Sequence, residues 1–184
     1  DLAGRSNIVM KAQEMGIRIN NDTPELKNIL TKVKEQEHLG YDYEGAEGSL
    51  ALLIRKALGR VDPAFDLEAY HVSMRGDSLE HVCEATVKVR VGNKIAHTVA
   101  DGDGPVNALD QALRNALGSF YPVLKKVKLT DYKVRILNSS RAFGTAAKTR
   151  VSIESTDGKE RWYTVGVNEN IIEASLQALL DGIE

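Results

Sequence analysis

After Phe65 the chain alternates between apolar and polar residues with a period of two. Val87, Val89 and Val91 are interleaved with Lys88 and Arg90, and Val134 and Ile136 with Arg135. Successive side chains of a strand point to opposite faces, so these runs, the first spanning Glu80 to Val91, predict strands with one dry and one wet face. Gly92-Asn93 and Asp157-Gly158 are turn-forming pairs between such runs. Then the period lengthens. Val106, Leu109, Leu113, Ala116 and Leu117 share one side of a helix opening at Pro105, and Ile172, Leu176, Leu179, Leu180 and Ile183 one side of another.

Before Phe65 the pattern is helical throughout. Ser6 is placed to cap a helix carrying Ile8, Val9, Ala12 and Met15, and Thr23-Pro24 to open a second carrying Leu26, Ile29, Leu30 and Val33 up to Gly40. A third follows Gly45 with Leu50, Leu53, Ile54, Ala57 and Leu58 on one side. Arg60-Val61-Asp62-Pro63 marks a boundary, which divides the chain into residues 1–62 and 63–184. The first part has too little apolar surface for a strong core of its own. It is expected to pack on another surface, and without it to be looser than the rest.

The second part is internally repeated. Val99, Ala108, Gln111 and Leu113 match Val165, Ala174, Gln177 and Leu179 at a constant offset of 66 residues. Leu67, Tyr70 and Val72 match Leu129, Tyr132 and Val134 at 62, and Val87 and Val89 match Val151 and Ile153 at 64. The drift falls in the turns, which absorb insertions more easily than strands. Each copy reads strand, strand, strand, helix, which makes an α+β domain built on a pseudo-two-fold β-β-β-α duplication.

Composition narrows the function. The 184 residues carry a net charge of −2, which is no footprint for nucleic acid or an anionic membrane surface. The longest aliphatic run, Leu50–Ile54, is too short to span a bilayer. The single cysteine, Cys83, cannot form an internal disulfide, so a reducing cytoplasm is the expectation. A chain opening on Asp1 rather than Met is expected to be a piece of something longer.

Chemistry concentrates in Asp101-Gly102-Asp103-Gly104-Pro105. Glycines admit a ligand close to the backbone, and a helix N-terminus attracts a carboxylate or phosphate. The same residues also suit a plain capped turn. A calcium loop counted from Asp101 would need Glu where Ala112 stands. In the second copy Asn170 and Glu173 have capping-box spacing, which assigns that loop to structure. His38, His71, His81 and His97 have no metal-ligand spacing with one another or with Cys83. No metal site and no catalytic residues are expected within the chain.

Four segments together resemble a known family: Glu84–Val89, Gly102-x-Gly104-Pro105-Val106-Asn107-Ala108-Leu109, Leu129–Val134, and Val167-x-Glu169-Asn170-Ile171-Ile172-Glu173-Ala174-Ser175. They are similar to the C-terminal regulatory domain of the α-isopropylmalate synthase family. Gly4-Arg5-Ser6-Asn7 and Gly40-Tyr41-x-Tyr43-Glu44-Gly45-Ala46-Glu47 resemble the helical linker of its citramalate synthase branch. The resemblance implies a homodimer that binds isoleucine, or alternatively leucine, at its interface. It implies an effector site of Gly102, Asp103, Gly104, Val106 and Asn107, faced by Leu129, Tyr132 and Ile136. It further implies a metal-dependent barrel upstream of Asp1 that condenses acetyl-CoA with a 2-oxo acid, pyruvate in that branch, and on which the helical linker of residues 1–62 is expected to pack. No cofactor is implied within these residues, where only regulation is expected. The rival expectation is a dimerisation scaffold with no effector site.

Overall fold

The computed structural model describes residues 4–76, 81–137 and 147–184. Three helices come first, α1 (Arg5–Glu14), α2 (Leu26–Leu39) and α3 (Glu47–Ala57). Then come β1 (Asp66–Gly76), β2 (His81–Val91), β3 (Lys94–Gly102) and α4 (Pro105–Leu117). After a short 3-10 turn the series repeats as β4 (Lys128–Leu137), β5 (Lys148–Thr156), β6 (Arg161–Asn168) and α5 (Ile171–Ile183). The two sheets have the orders β1-β2-β3 and β4-β5-β6. The α+β class and the duplicated β-β-β-α unit are therefore as the sequence indicates. Glu80, the expected first residue of β2, and the side chain of His81 lie outside the described residues.

The contacts form two compact units, and the chain passes from one to the other at Asp62–Pro63, at Lys128–Leu129 and at Gly182–Ile183. One unit is Pro63–Lys128 with Ile183–Glu184; the other joins Asp1–Asp62 to Leu129–Gly182. The first unit holds the first copy of the repeat. Its strands are antiparallel, and α4 lies over the face bearing Cys83, Ala85, Val87 and Val89, all buried. Arg114 fastens the end of α4: its Nε donates to both oxygens of Asp110, and Nη1 donates to the carbonyls of Leu124 and Val127 at 3.2 and 2.8 Å. The β1–β2 register shifts between Leu67 and Ala69, so Leu67 opposite Val89 and Tyr70 opposite Val87 share the α4 face despite their odd and even numbers.

The second unit has three layers. α5 covers one face of its sheet, where the Thr164 hydroxyl donates to the Ala178 carbonyl at 2.7 Å. The first copy makes the same bond at the repeat-equivalent positions, Thr98 to the Ala112 carbonyl at 2.8 Å. Strand alternation puts Val165 and Val167 on the other face, and there they share a core with Ile8, Leu26, Ile29, Val33, Leu50 and Ile54 of the helices. The apolar side of the helical segment, which the sequence leaves in search of a surface, is thus met within the chain. Ser49 joins the layers by accepting the Val165 amide at 3.0 Å while donating to Asp181 at 2.5 Å. Arg150 donates from Nε to the Gly40 carbonyl at 2.6 Å and from Nη1 to Asp42.

The helix starts differ from expectation in two places. Ser6 lies inside α1, whose N-cap is Gly4. Thr23 does not cap α2: its hydroxyl is engaged with Asn20, Pro24 and Glu25 form a turn, and the helix begins at Leu26. A local side-chain bond outcompetes the cap there. In α3 the buried side also includes Leu52 and Ser49.

Candidate functional site

The start of α4 is open. Gly104 is its N-cap, and no side chain caps the helix. Pro105 has no N–H, so the amides of Val106 and Asn107 are first-turn donors without an intrahelical acceptor. The Asn107 side-chain Oδ1 reaches back to accept the Asp103 amide at 3.1 Å, which folds the loop over the first turn. Beside it lies a cavity of 550 Å³ lined by Asp101, Gly102, Asp103 and Asn107, with Gln111 and Asn115 one and two turns further along α4.

The two glycines of this loop do different work. A Cβ on Gly102 would stand 2.4 Å from the Ala108 nitrogen and 2.7 Å from its Cα, so only glycine lets β3 end against the first turn of α4. Gly104 is in an ordinary extended conformation, and a Cβ there meets nothing within 4 Å. Gly102 therefore shapes the loop, while Gly104 leaves space above the helix amides.

The second copy closes the same station. Asn170 Oδ1 accepts the Ile172 amide at 2.9 Å and so caps α5. Asn168 Oδ1 takes the Asn170 amide at 2.8 Å, the bond that a capping box draws from its acidic residue. The α4 start has no side-chain cap, whereas the α5 start is capped by Asn170.

The structure thus brings Gly102, Asp103 and Asn107 together on one cavity, with Gly104 and Val106 adjoining them at the helix start. Leu129, Tyr132 and Ile136 stand on β4, in the other compact unit. The Tyr132 hydroxyl is 2.7 Å from Ser175 Oγ, which itself donates to the Ile171 carbonyl. Val134 and Ile136 are exposed on the same strand, and so is Met74 on β1. Gln111 and Asn115 were not singled out by sequence; the repeat pairs Gln111 with Gln177, which is the signal that could have found Gln111. Cys83 is buried as a core residue, and burial pushes its thiol above the usual range. Among the described residues no three His, Cys, Asp or Glu side chains converge to hold a metal, and no helix is long and apolar enough to cross a membrane.

Residues 44–184 match the family model of the LeuA allosteric (dimerisation) domain. The chain belongs to that family. Over its whole length it is 55% identical to an (R)-citramalate synthase of Aquifex aeolicus (strain VF5) and 36% identical to that of Sulfolobus acidocaldarius, covering 35% and 33% of those proteins. A 2-isopropylmalate synthase of Shewanella frigidimarina is 27% identical over 97% of the chain, which covers 31% of it. The chain spans about a third of the length of the curated relatives it matches.

Proposed function

We propose that this chain is the feedback-sensing and self-associating region of a citramalate or 2-isopropylmalate synthase-type acyltransferase, and that it binds a branched-chain amino acid at the start of α4. The observation that carries this reading is the contrast between the copies: α4 has no side-chain cap and a cavity beside it, whereas α5 is capped by Asn170. The amides of Val106 and Asn107 suit the carboxylate of an amino acid. Asp101 and Asp103 suit its ammonium group.

The cavity offers little apolar wall of its own, Ala100 being its one aliphatic residue. A branched side chain therefore needs a second surface, and a homodimer supplies one. Exposed Val134 and Ile136 of β4 are apolar groups of the kind that interfaces cover, and with Leu129 and Tyr132 they are the natural facing strand. Isoleucine is the first ligand by this reading and leucine the second.

In the full-length protein the catalytic barrel, its divalent metal and its chemistry on acetyl-CoA and a 2-oxo acid, pyruvate by resemblance to the citramalate branch, lie outside this chain. Residues 1–62 serve as the linker toward that barrel, the chain alone is inactive, and the enzyme is cytoplasmic. Calorimetric titration of the chain with isoleucine and leucine, combined with sedimentation, tests the reading. Expected is a dimer that binds one of the two. A dimer that binds neither leaves only a dimerisation scaffold, and a monomer that binds neither overturns the proposal.

A further inference from the structure

The second copy has a cavity of its own, on the side of its sheet that carries α2. It holds 290 Å³ against Gln36, Leu39, Tyr41, Lys148, Val167, Asn168 and Glu169. At the repeat offset of 66, Val167, Asn168 and Glu169 are the mates of Asp101, Gly102 and Asp103, which line the first cavity. The walls differ otherwise: α4 lines the first cavity, and no residue of α5 lines this one. The α5 amides are taken up by Asn170, so a ligand here finds no open helix start. A cation stands there instead, Lys148 at the start of β5.

The walls carry one positive charge, one negative charge and an apolar patch. Lys148 and Glu169 both line the cavity. Leu39, exposed for a leucine at 46%, joins Val167 and the ring of Tyr41 to form the apolar side. That ring is held in place, because its hydroxyl donates to Gln177 Oε1 at 2.9 Å and it stacks on Tyr43. We infer that this cavity is a second ligand site, separate from the α4 site, for a small zwitterion with an aliphatic side chain, that is, a free amino acid. Lys148 takes the carboxylate, Glu169 the ammonium group, and Leu39 and Val167 the side chain. A dianion would meet Glu169, and a simple amine would leave Lys148 without a partner. The volume admits one small metabolite and nothing of cofactor size.

The inference does not rest on the α4 site and is tested apart from it. Amide-detected NMR of the full chain follows the signals of Val167–Glu169 and of Gly102–Asn107 separately as L-leucine, 4-methylpentanoate or isopentylamine is added. Expected are saturable shifts of Val167–Glu169 with L-leucine, at least tenfold weaker binding of the two singly charged analogues, and the same behaviour in Gly104→Asp. Lys148→Glu and the milder Lys148→Met should both abolish those shifts while the rest of the spectrum is unchanged. Equal response to the analogues, shifts that survive both Lys148 variants, or no response at 167–169 overturns the site. None of these outcomes depends on what the Gly102–Asn107 signals do.

Discussion

Gln177 Oε1 accepts two hydrogen bonds, one from the Tyr41 hydroxyl at 2.9 Å and one from the Val167 amide at 3.1 Å. A single side chain of α5 thereby ties the loop after α2 to the outer strand of the β4-β5-β6 sheet. The repeat mate, Gln111, lines the α4 cavity instead. Tyr41→Phe should remove one of these bonds and cost about 0.5–1.5 kcal/mol. Gln177→Leu should cost more, about 1–3 kcal/mol, because it strands the Val167 amide as well. Urea unfolding of both variants checks the order. A Gln177→Leu chain as stable as the parent would mean that solvent satisfies these groups unaided.

Gly102 and Gly104 should respond in opposite ways to the same small change. Gly102→Ala forces a methyl against the backbone of Ala108, which cannot move without shifting α4, and should cost about 2–3 kcal/mol. Gly104→Ala meets open space and loses at most about 1 kcal/mol, the difference between glycine and alanine as N-caps. Thermal or urea unfolding distinguishes them. Equal losses would show that the loop yields at Gly102.

Much of this fold is legible in local pattern. Val87 and Val89 alternate with charges and are buried as a strand face should be, and the offset of 66 recovers a hydrogen bond made by both Thr98 and Thr164. What local pattern misses is long-range. Val165 and Val99 are the same residue type at the same station of the repeat, yet one is 1% and the other 55% exposed, because α1–α3 cover only the former's face. Nothing adjacent to Val165 in sequence signals that cover. Thr23 carries a cap signature but spends its hydroxyl on Asn20, a choice set by the turn around it. The glycine loop and the Asn170 cap that sets the second copy apart are both visible as motifs, but the part that Asn168 plays in that cap shows only in the folded loop.

Alkaline stability should depend on Tyr43. Burial holds its phenol well above the usual range, and nearby Tyr41, Asp181 and Glu37 add to the effect. In the unfolded chain the same phenol ionises near pH ~10. The raised folded value means that the native state keeps a proton which the unfolded state has released. Stability from this group is therefore full below about pH 10 and falls as pH rises beyond it. Tyr43→Phe should flatten that decline between about pH 10 and 12 while lowering stability little at pH 7. Denaturant midpoints across this range decide it; an unchanged slope would place the alkaline sensitivity elsewhere.

Gly104→Asp should abolish effector binding at α4 and leave the fold intact. The new side chain has room, since nothing lies within 4 Å of the Cβ position. Aspartate is also a strong N-cap, so its carboxylate can satisfy the first-turn amides that Gly104 leaves free and stabilise α4 by about 1 kcal/mol. That is the place assigned to the carboxylate of the ligand, which then meets a like charge and finds its donors taken. The chain should melt at the same temperature or higher and show no heat with isoleucine. In the full-length enzyme the same change should give activity that isoleucine no longer inhibits, because an effector acts only through its unequal affinity for two states. Such coupling is worth ~1–3 kcal/mol, so losing the carboxylate contact is enough to erase it. Asn170→Asp is the control: aspartate caps α5 about as well as asparagine does, and binding should persist. If Gly104→Asp binds isoleucine normally and Asn170→Asp does not, sensing belongs to the second copy of the repeat and not to the first.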